Sequence, residues 1–235
     1  MSIAVNNITK EYGSQKAVDS INFEIKTGEI VGFLGPNGAG KSTTMKILTG
    51  YVKATSGSAT VNGFDVYSQT MKARASVGYL PEHNPLYPDM YVIEFLQFIG
   101  RLNRLKGLLL KERIAEMLHL CGLEREQHKK IGQLSKGYRQ RVGLAQAFIH
   151  QPSVLILDEP TTGLDPNQLA EIRELIRTLG QNKTVLFSTH IMQEVEALCE
   201  RVIIINRGKV VADDLLQNLK TGNESLESIF KRLTL

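Results

Sequence analysis

The chain has 235 residues, 42% hydrophobic and 22% charged, with a net charge of +4. These values support one large core with room for a subordinate lobe, and they exclude a disordered chain. A balance of +4 is too small by itself to mark a nucleic-acid binder, and no nucleic-acid partner is expected.

The N-terminal "MSIAVNNITKEYG" lacks the basic-then-apolar order of a signal peptide, and no apolar run approaches the ~18 residues of a membrane span. The expectation is a soluble cytoplasmic protein that reaches a membrane only by docking. "SIAVNNITKEY" and "INFEIKTGEIVGFLG" alternate apolar and polar residues and break at Gly13 and Thr27-Gly28. That predicts a strand meander leading into a buried strand, Ile30 to Leu34. Tyr12, before the first break, is either an ordinary half-buried strand aromatic or a platform on which a base stacks.

"GPNGAGKS" follows, matching G-x-x-x-x-G-K-[ST] between a strand and a helix over Lys41–Leu48. Gly35, Gly38 and Gly40 let the backbone turn its N–H groups onto phosphates, Pro36, Asn37 and Ala39 completing the loop, and the helix start adds its positive dipole end. Lys41 reaches the β- and γ-phosphates, Ser42 ligates Mg²⁺, and the cradle runs on to Thr43. The motif is specific for a nucleoside triphosphate. The one Asn-Lys pair, Asn182-Lys183, is followed by Thr184 and Val185, so the guanine-reading N-K-x-D is absent.

"SATVNGFDV" predicts a hairpin turning at Asn62-Gly63, and Val77 to Leu80 a short strand entering a proline-rich loop. Helical patterns cover Tyr91 to about Cys121 and restart at Ser135. Cys121 and Cys199 form no ligand pattern and read as small buried hydrophobes in a reducing compartment. Residues 101–141 hold eleven Lys or Arg against four Asp or Glu, leaving −3 elsewhere. Such a run is a solvated face, or a surface for anionic lipid headgroups or an acidic partner.

"VLILDEP" puts Asp158 and Glu159 where a buried strand emerges at the carboxyl edge of a sheet, the edge at which α/β ligands sit. Asp158 there helps hold Mg²⁺. Glu159, one residue on, is expected to point the opposite way along the strand, towards an attacking water that it activates as general base. "VLFSTH" repeats the design and ends in His190, either a structural histidine or a donor to the γ-phosphate. Alternation from Val154 to Ile205, with a helix after Pro166 and another around Glu194–Cys199, implies a parallel sheet with right-handed crossovers. "NESLESIFKRLTL" closes the chain as an amphipathic helix.

Together these elements resemble the nucleotide-binding subunit of ABC transporters, in the family's order and over essentially the whole chain. Tyr12 matches the adenine-stacking aromatic, Gly35–Ser42 the Walker A loop, "LSKGY" the signature, "LILDE" Walker B, "GLDP" the D-loop and His190 the switch histidine. The resemblance implies an α/β P-loop NTPase fold in one domain: a catalytic core that comprises an N-terminal antiparallel β subdomain and a parallel sheet (residues 1–90 and 142–212 together), a helical subdomain (91–141) and a C-terminal helical tail (213–235). It implies ATP hydrolysis with Mg²⁺ in a head-to-tail dimer, a homodimer in the simplest case. In that dimer Ser135 and Gly137 complete the partner's γ-phosphate site. An integral-membrane permease docks on the helical subdomain, placing the chain on the cytoplasmic face of the inner membrane. Rival readings are an ABC-type ATPase that transmits force without moving cargo, and a non-hydrolysing regulator.

Two positions depart from the family pattern. Lys136 and Tyr138 stand at the third and fifth places of the usual Leu-Ser-Gly-Gly-Gln. Glu82 in "GYLPE" replaces the metal-binding glutamine, and as a carboxylate it accepts but does not donate. The "YLPEHNPLY" loop, the short helical lobe and the tail resemble the ABC-2 export group, and within it gliding-motility ATPases.

Overall fold

The computed structural model describes residues 1–220 and 224–235. Asn223, the first residue of the predicted tail helix, lies outside them. Strands β1 (Ile3–Tyr12) and β2 (Gln15–Ile25) pair antiparallel across a two-residue loop, with Tyr12 opposite Gln15. β3 (Ile30–Leu34) enters a second sheet and delivers the glycine loop to α1 (Lys41–Leu48). β4 (Ser56–Val61) returns to the far edge of β1 and turns into β5 (Phe64–Asp65). Asn62 and Gly63 both have positive φ, 52° and 79°, the mirror-image turn that matches strand twist.

Next come α2 (Thr70–Ala75), β6 (Val77–Leu80), α3 (Val92–Leu102), α4 (Gly107–Leu120) and α5 (Lys136–Phe148). The remainder alternates: β7 (Val154–Asp158), α6 (Pro166–Gly180), β8 (Thr184–Thr189), α7 (Met192–Leu198), β9 (Arg201–Asn206). A hairpin adds β10 (Lys209–Leu215), then α8 (Leu216–Leu219) and α9 (Leu226–Thr234).

The first sheet has the order β2-β1-β4-β5; the second runs β10-β9-β3-β8-β7-β6, parallel except for β10. This is the mixed α/β fold class expected from the sequence. The parallel strands are near-continuously apolar because both faces are covered. Val185 and Phe187 face one core with α3, α4, α5 and α6, whereas Leu186 faces the other, shared with the antiparallel sheet. Strand β8 lies between β3 and β7, so three strand ends open side by side at one edge.

Two side-chain anchors bind the helices into this frame. Buried Arg113 of α4 donates from Nε to Ile149 O at 2.9 Å and from Nη2 to Phe148 O at 3.0 Å, satisfying carbonyls at the end of α5. In α9, Leu226 and Ile229 are buried, and Thr234 O accepts from Asn206 Nδ2 at 3.1 Å. Among the described residues no helix is long and apolar enough to cross a membrane.

Candidate functional site

At the open edge lies a cavity of about 330 Å³ lined by Pro36, Asn37, Gly38, Ala39, Gly40, Lys41, Ser42 and Thr43, with Gln15, Ala17, Glu82 and Glu159. Its glycines are structural necessities. Gly40 has φ +110°, and a Cβ there would lie 2.5 Å from Ala17 O; a Cβ on Gly35 would lie 2.4 Å from Ile205 O. Those backbones approach so closely that no side chain fits.

Lys41 is buried in the loop and donates to Gly35 O at 2.7 Å and Pro36 O at 3.3 Å. Its ammonium also stands 3.3 Å from Glu159 Oε1. The other oxygen, Oε2, accepts from His190 Nδ1 at 2.9 Å and Thr162 Oγ1 at 3.1 Å. A carboxylate only accepts, so Nδ1 carries the proton in this contact. Cation, carboxylate and imidazole thus form one chain across the strand ends.

Glu159 does not continue β7, contrary to the expectation of strand alternation. The strand ends at Asp158, and Glu159 takes φ +50°, a left-handed conformation that costs a non-glycine residue about 1–2 kcal/mol. Its N–H donates to Ser188 Oγ at 3.0 Å, which holds the turn. The conformation swings the carboxylate over the glycine loop rather than to the opposite sheet face.

Asp158, 1% exposed, accepts from Ser188 Oγ at 2.6 Å and Ser42 Oγ at 3.1 Å. Burial pushes its pKa up, and the charges of Glu82 and Glu159 add to that, while the two hydroxyls oppose it. A hydroxyl and carboxylates are the hard oxygen donors that Mg²⁺ takes, so Ser42, Asp158 and the cavity-lining Glu82 fit that ion. Among the described residues no three His, Cys, Asp or Glu cluster into a protein-only cage.

Of the predicted residues outside this lining, Gly35, Asp158 and His190 reach it through hydrogen bonds with Lys41, Ser42 and Glu159, and three others lie apart from it. Tyr12 is half exposed, with Lys10 Nζ 4.8 Å from its ring centre, and it is Gln15 across the strand pair that lines the cavity. Ser135 caps α5, accepting from Tyr138 N at 3.4 Å, and is exposed at the helix start. Gly137 is buried beside Gln168, where a Cβ would meet Gln168 Cδ at 2.9 Å. Neither lines the cavity formed by its own chain.

Ser188, Gln140 and Glu194 were not singled out in the sequence. Gln140 Nε2 donates to Pro160 O at 2.6 Å and so ties α5 to the Glu159 turn. Only Ser188 carried a signal, its place at the tip of a strand beside two others.

Residues 18–162 match the family model described as "ABC transporter". The bacitracin transport ATP-binding protein BcrA of Bacillus licheniformis is 40% identical over 223 residues, 94% of this chain and 72% of that protein. The Nod factor export ATP-binding protein I of Burkholderia orbicola is 39% identical over 217 residues, 91% and 71% of the two chains. Among solved structures, the ATP-binding cassette MJ0796, a dimer in a post-hydrolysis state bound to ADP and Pi, superposes with a TM-score of 0.82 at 28% identity. That match covers 91% of this chain and 98% of the other.

Proposed function

Because the chain belongs to the ABC transporter family and is an ATPase, we propose that it powers an exporter of the ABC-2 type through nucleotide-driven closure of two copies. One observation carries this reading: Lys41, Asp158, Glu159 and His190 converge at three adjacent strand ends over a glycine cradle.

The inward amides of residues 35–43 and Lys41 hold the phosphates of ATP. Ser42, Asp158 and Glu82 hold Mg²⁺, whose charge neutralises the phosphates when bound. A triphosphate competes with Glu159 for Lys41, so substrate arrival frees the carboxylate to take a proton from the attacking water. His190, released from Glu159 in the same event, donates to the γ-phosphate. Tyr12 stacks the adenine on the ring face that Lys10 leaves open. Ser135 and Gly137 act in the facing copy's site, a reading supported by their place outside the lining of their own cradle and by the dimeric state of MJ0796.

The permease docks from the cytoplasmic side of the membrane on the helical subdomain of residues 91–141. Phe98 and Leu102 are exposed there beside Arg101 and Arg104, and Tyr87 meets Phe98 edge-on at 5.8 Å. Nod factor export, named for one relative, supports export as the direction, and bacitracin transport, named for another, supports transport as the task. The likeness to gliding-motility ATPases rests on the "YLPEHNPLY" loop and the tail.

Steady-state ATPase measurement tests the core of this reading. Glu159→Gln is expected to lower kcat by about 100-fold or more and to accumulate ATP-bound dimers. Equal rates for the two proteins would overturn the assignment of the base. Pull-down from detergent-solubilised membranes tests the partner: a multi-span protein is expected, and recovery of ribosome or chromosome components instead would refute transport.

A further inference from the structure

We propose that Glu194 is a positioning residue for hydrolysis, locking the turn that carries Glu159 to the strand end that carries His190. The proposal rests on the reading of those two residues as base and phosphate donor.

Glu194 sits in the first turn of α7 and is fully buried. One of its oxygens accepts from Thr161 Oγ1, and the other accepts from Thr189 Oγ1 at 2.6 Å. Thr189 Oγ1 accepts in turn from Ile191 N at 3.0 Å. Among the described residues no Lys, Arg or His forms an ion pair with Glu194. Burying a carboxylate without a cation is costly, and an apolar residue of similar size would pack α7 at less expense. A packing role alone therefore does not account for it.

The position of the two threonines supplies the role. The β7–β8 ladder ends at the pair Asp158–Ser188. Glu159, Pro160 and Thr161 lie beyond that end on one side, and Thr189 and His190 lie beyond it on the other. Glu194 joins these two segments where the β7–β8 ladder no longer does, Thr189 being held on its other side by pairing with Leu34 of β3. Thr161 is two residues after Glu159, and Thr189 immediately precedes His190. The 2.9 Å contact between Glu159 Oε2 and His190 Nδ1 forms within this frame. A shift of about 1 Å in a reacting group costs about 100-fold in rate, so a frame of this kind is worth keeping.

The test compares Glu194→Ala, Glu194→Gln and Glu159→Gln with the wild type in kcat, KM and the Kd of a fluorescent ATP analogue. Glu194→Ala is expected to lower kcat by about 10- to 100-fold with the Kd unchanged within about twofold. Glu194→Gln, whose amide can still accept from one threonine and donate to the other, is expected to restore most of kcat. Where Glu194→Ala fails to fold, Thr161→Val removes one donor at constant volume and is expected to lower kcat with the same unchanged Kd. An unchanged kcat, or a kcat loss matched by lost nucleotide binding, or a Gln variant as impaired as the Ala variant, overturns the proposal. Wild-type rates in Glu159→Gln would instead remove the base reading, which the Glu194 variants leave untouched.

Discussion

Replacing Ser188 by alanine removes one oxygen and almost no volume, so it isolates hydrogen bonding from packing. That oxygen serves two buried groups: it donates to Asp158 Oδ1 at 2.6 Å and accepts from Glu159 N at 3.0 Å. A bond to a charged group contributes about 1.5–3 kcal/mol, and a buried N–H left without a partner costs about 1–3 kcal/mol. Ser188→Ala is therefore expected to destabilise the chain by about 3–5 kcal/mol. In urea, with a slope of about 2–3 kcal/mol/M, the unfolding midpoint falls by about 1–2.5 M. The same change removes a bond that holds the pKa of Asp158 down against burial. More Mg²⁺ should then be needed to reach half-maximal ATPase rate, most clearly at the acidic end of the working range. A midpoint shift below about 0.3 M, well under the cost of one such bond, would refute the reasoning.

His150 is pushed below its ordinary pKa of 6.5 by burial, with its Nε2 3.1 Å from Val77 O. The folded chain favours the neutral ring, so this stability is complete above pH 6.5 and is lost as pH falls through the lowered value; chemical melts below pH 6.5 should show a smaller acid-side loss in His150→Gln. Asp65 has its pKa lowered chiefly by the Ser68 N–H, with the Ser68 hydroxyl and Tyr67 N–H adding to it. Its contribution is present above 3.8 and fades as pH drops through the lowered value, and because solvent screens this surface carboxylate Asp65→Ala should cost about 0.5–1 kcal/mol at neutral pH, read from urea melts. Gly40→Ala forces a Cβ into Ala17 O and a φ of +110° on a residue that resists it; the expected readout is about a tenfold or greater loss of ATP affinity, read by equilibrium titration.

Much of this architecture was legible because local chemistry and topology agree. Asn62-Gly63 permits one tight turn, Ser135 caps α5 through its own hydroxyl, and "VLILD" is apolar on both sides because both of its faces are covered. Other elements left no local trace. α2 buries only Ala73, so it has no apolar stripe to read. β10 carries Asp213 and Asp214 in a strand, and its partner is supplied from elsewhere, by pairing with β9 and by Arg201 on Asp213 at 2.8 Å. The left-handed Glu159 could not be inferred, since that conformation favours glycine or asparagine and is held here by Ser188, 29 residues away. The link from Glu194 to Thr161 spans 33 residues and has no spacing rule behind it.

Arg113 has a mechanical consequence. Its guanidinium bolts the outer helix α4 to the far end of α5, a rod of 13 residues and about 20 Å. Ser135 stands at the opposite tip of that rod. A load on the outer helix is therefore borne directly by the C-terminal end of α5, so α4 and α5 behave as one braced unit and not as two helices held by side-chain packing alone.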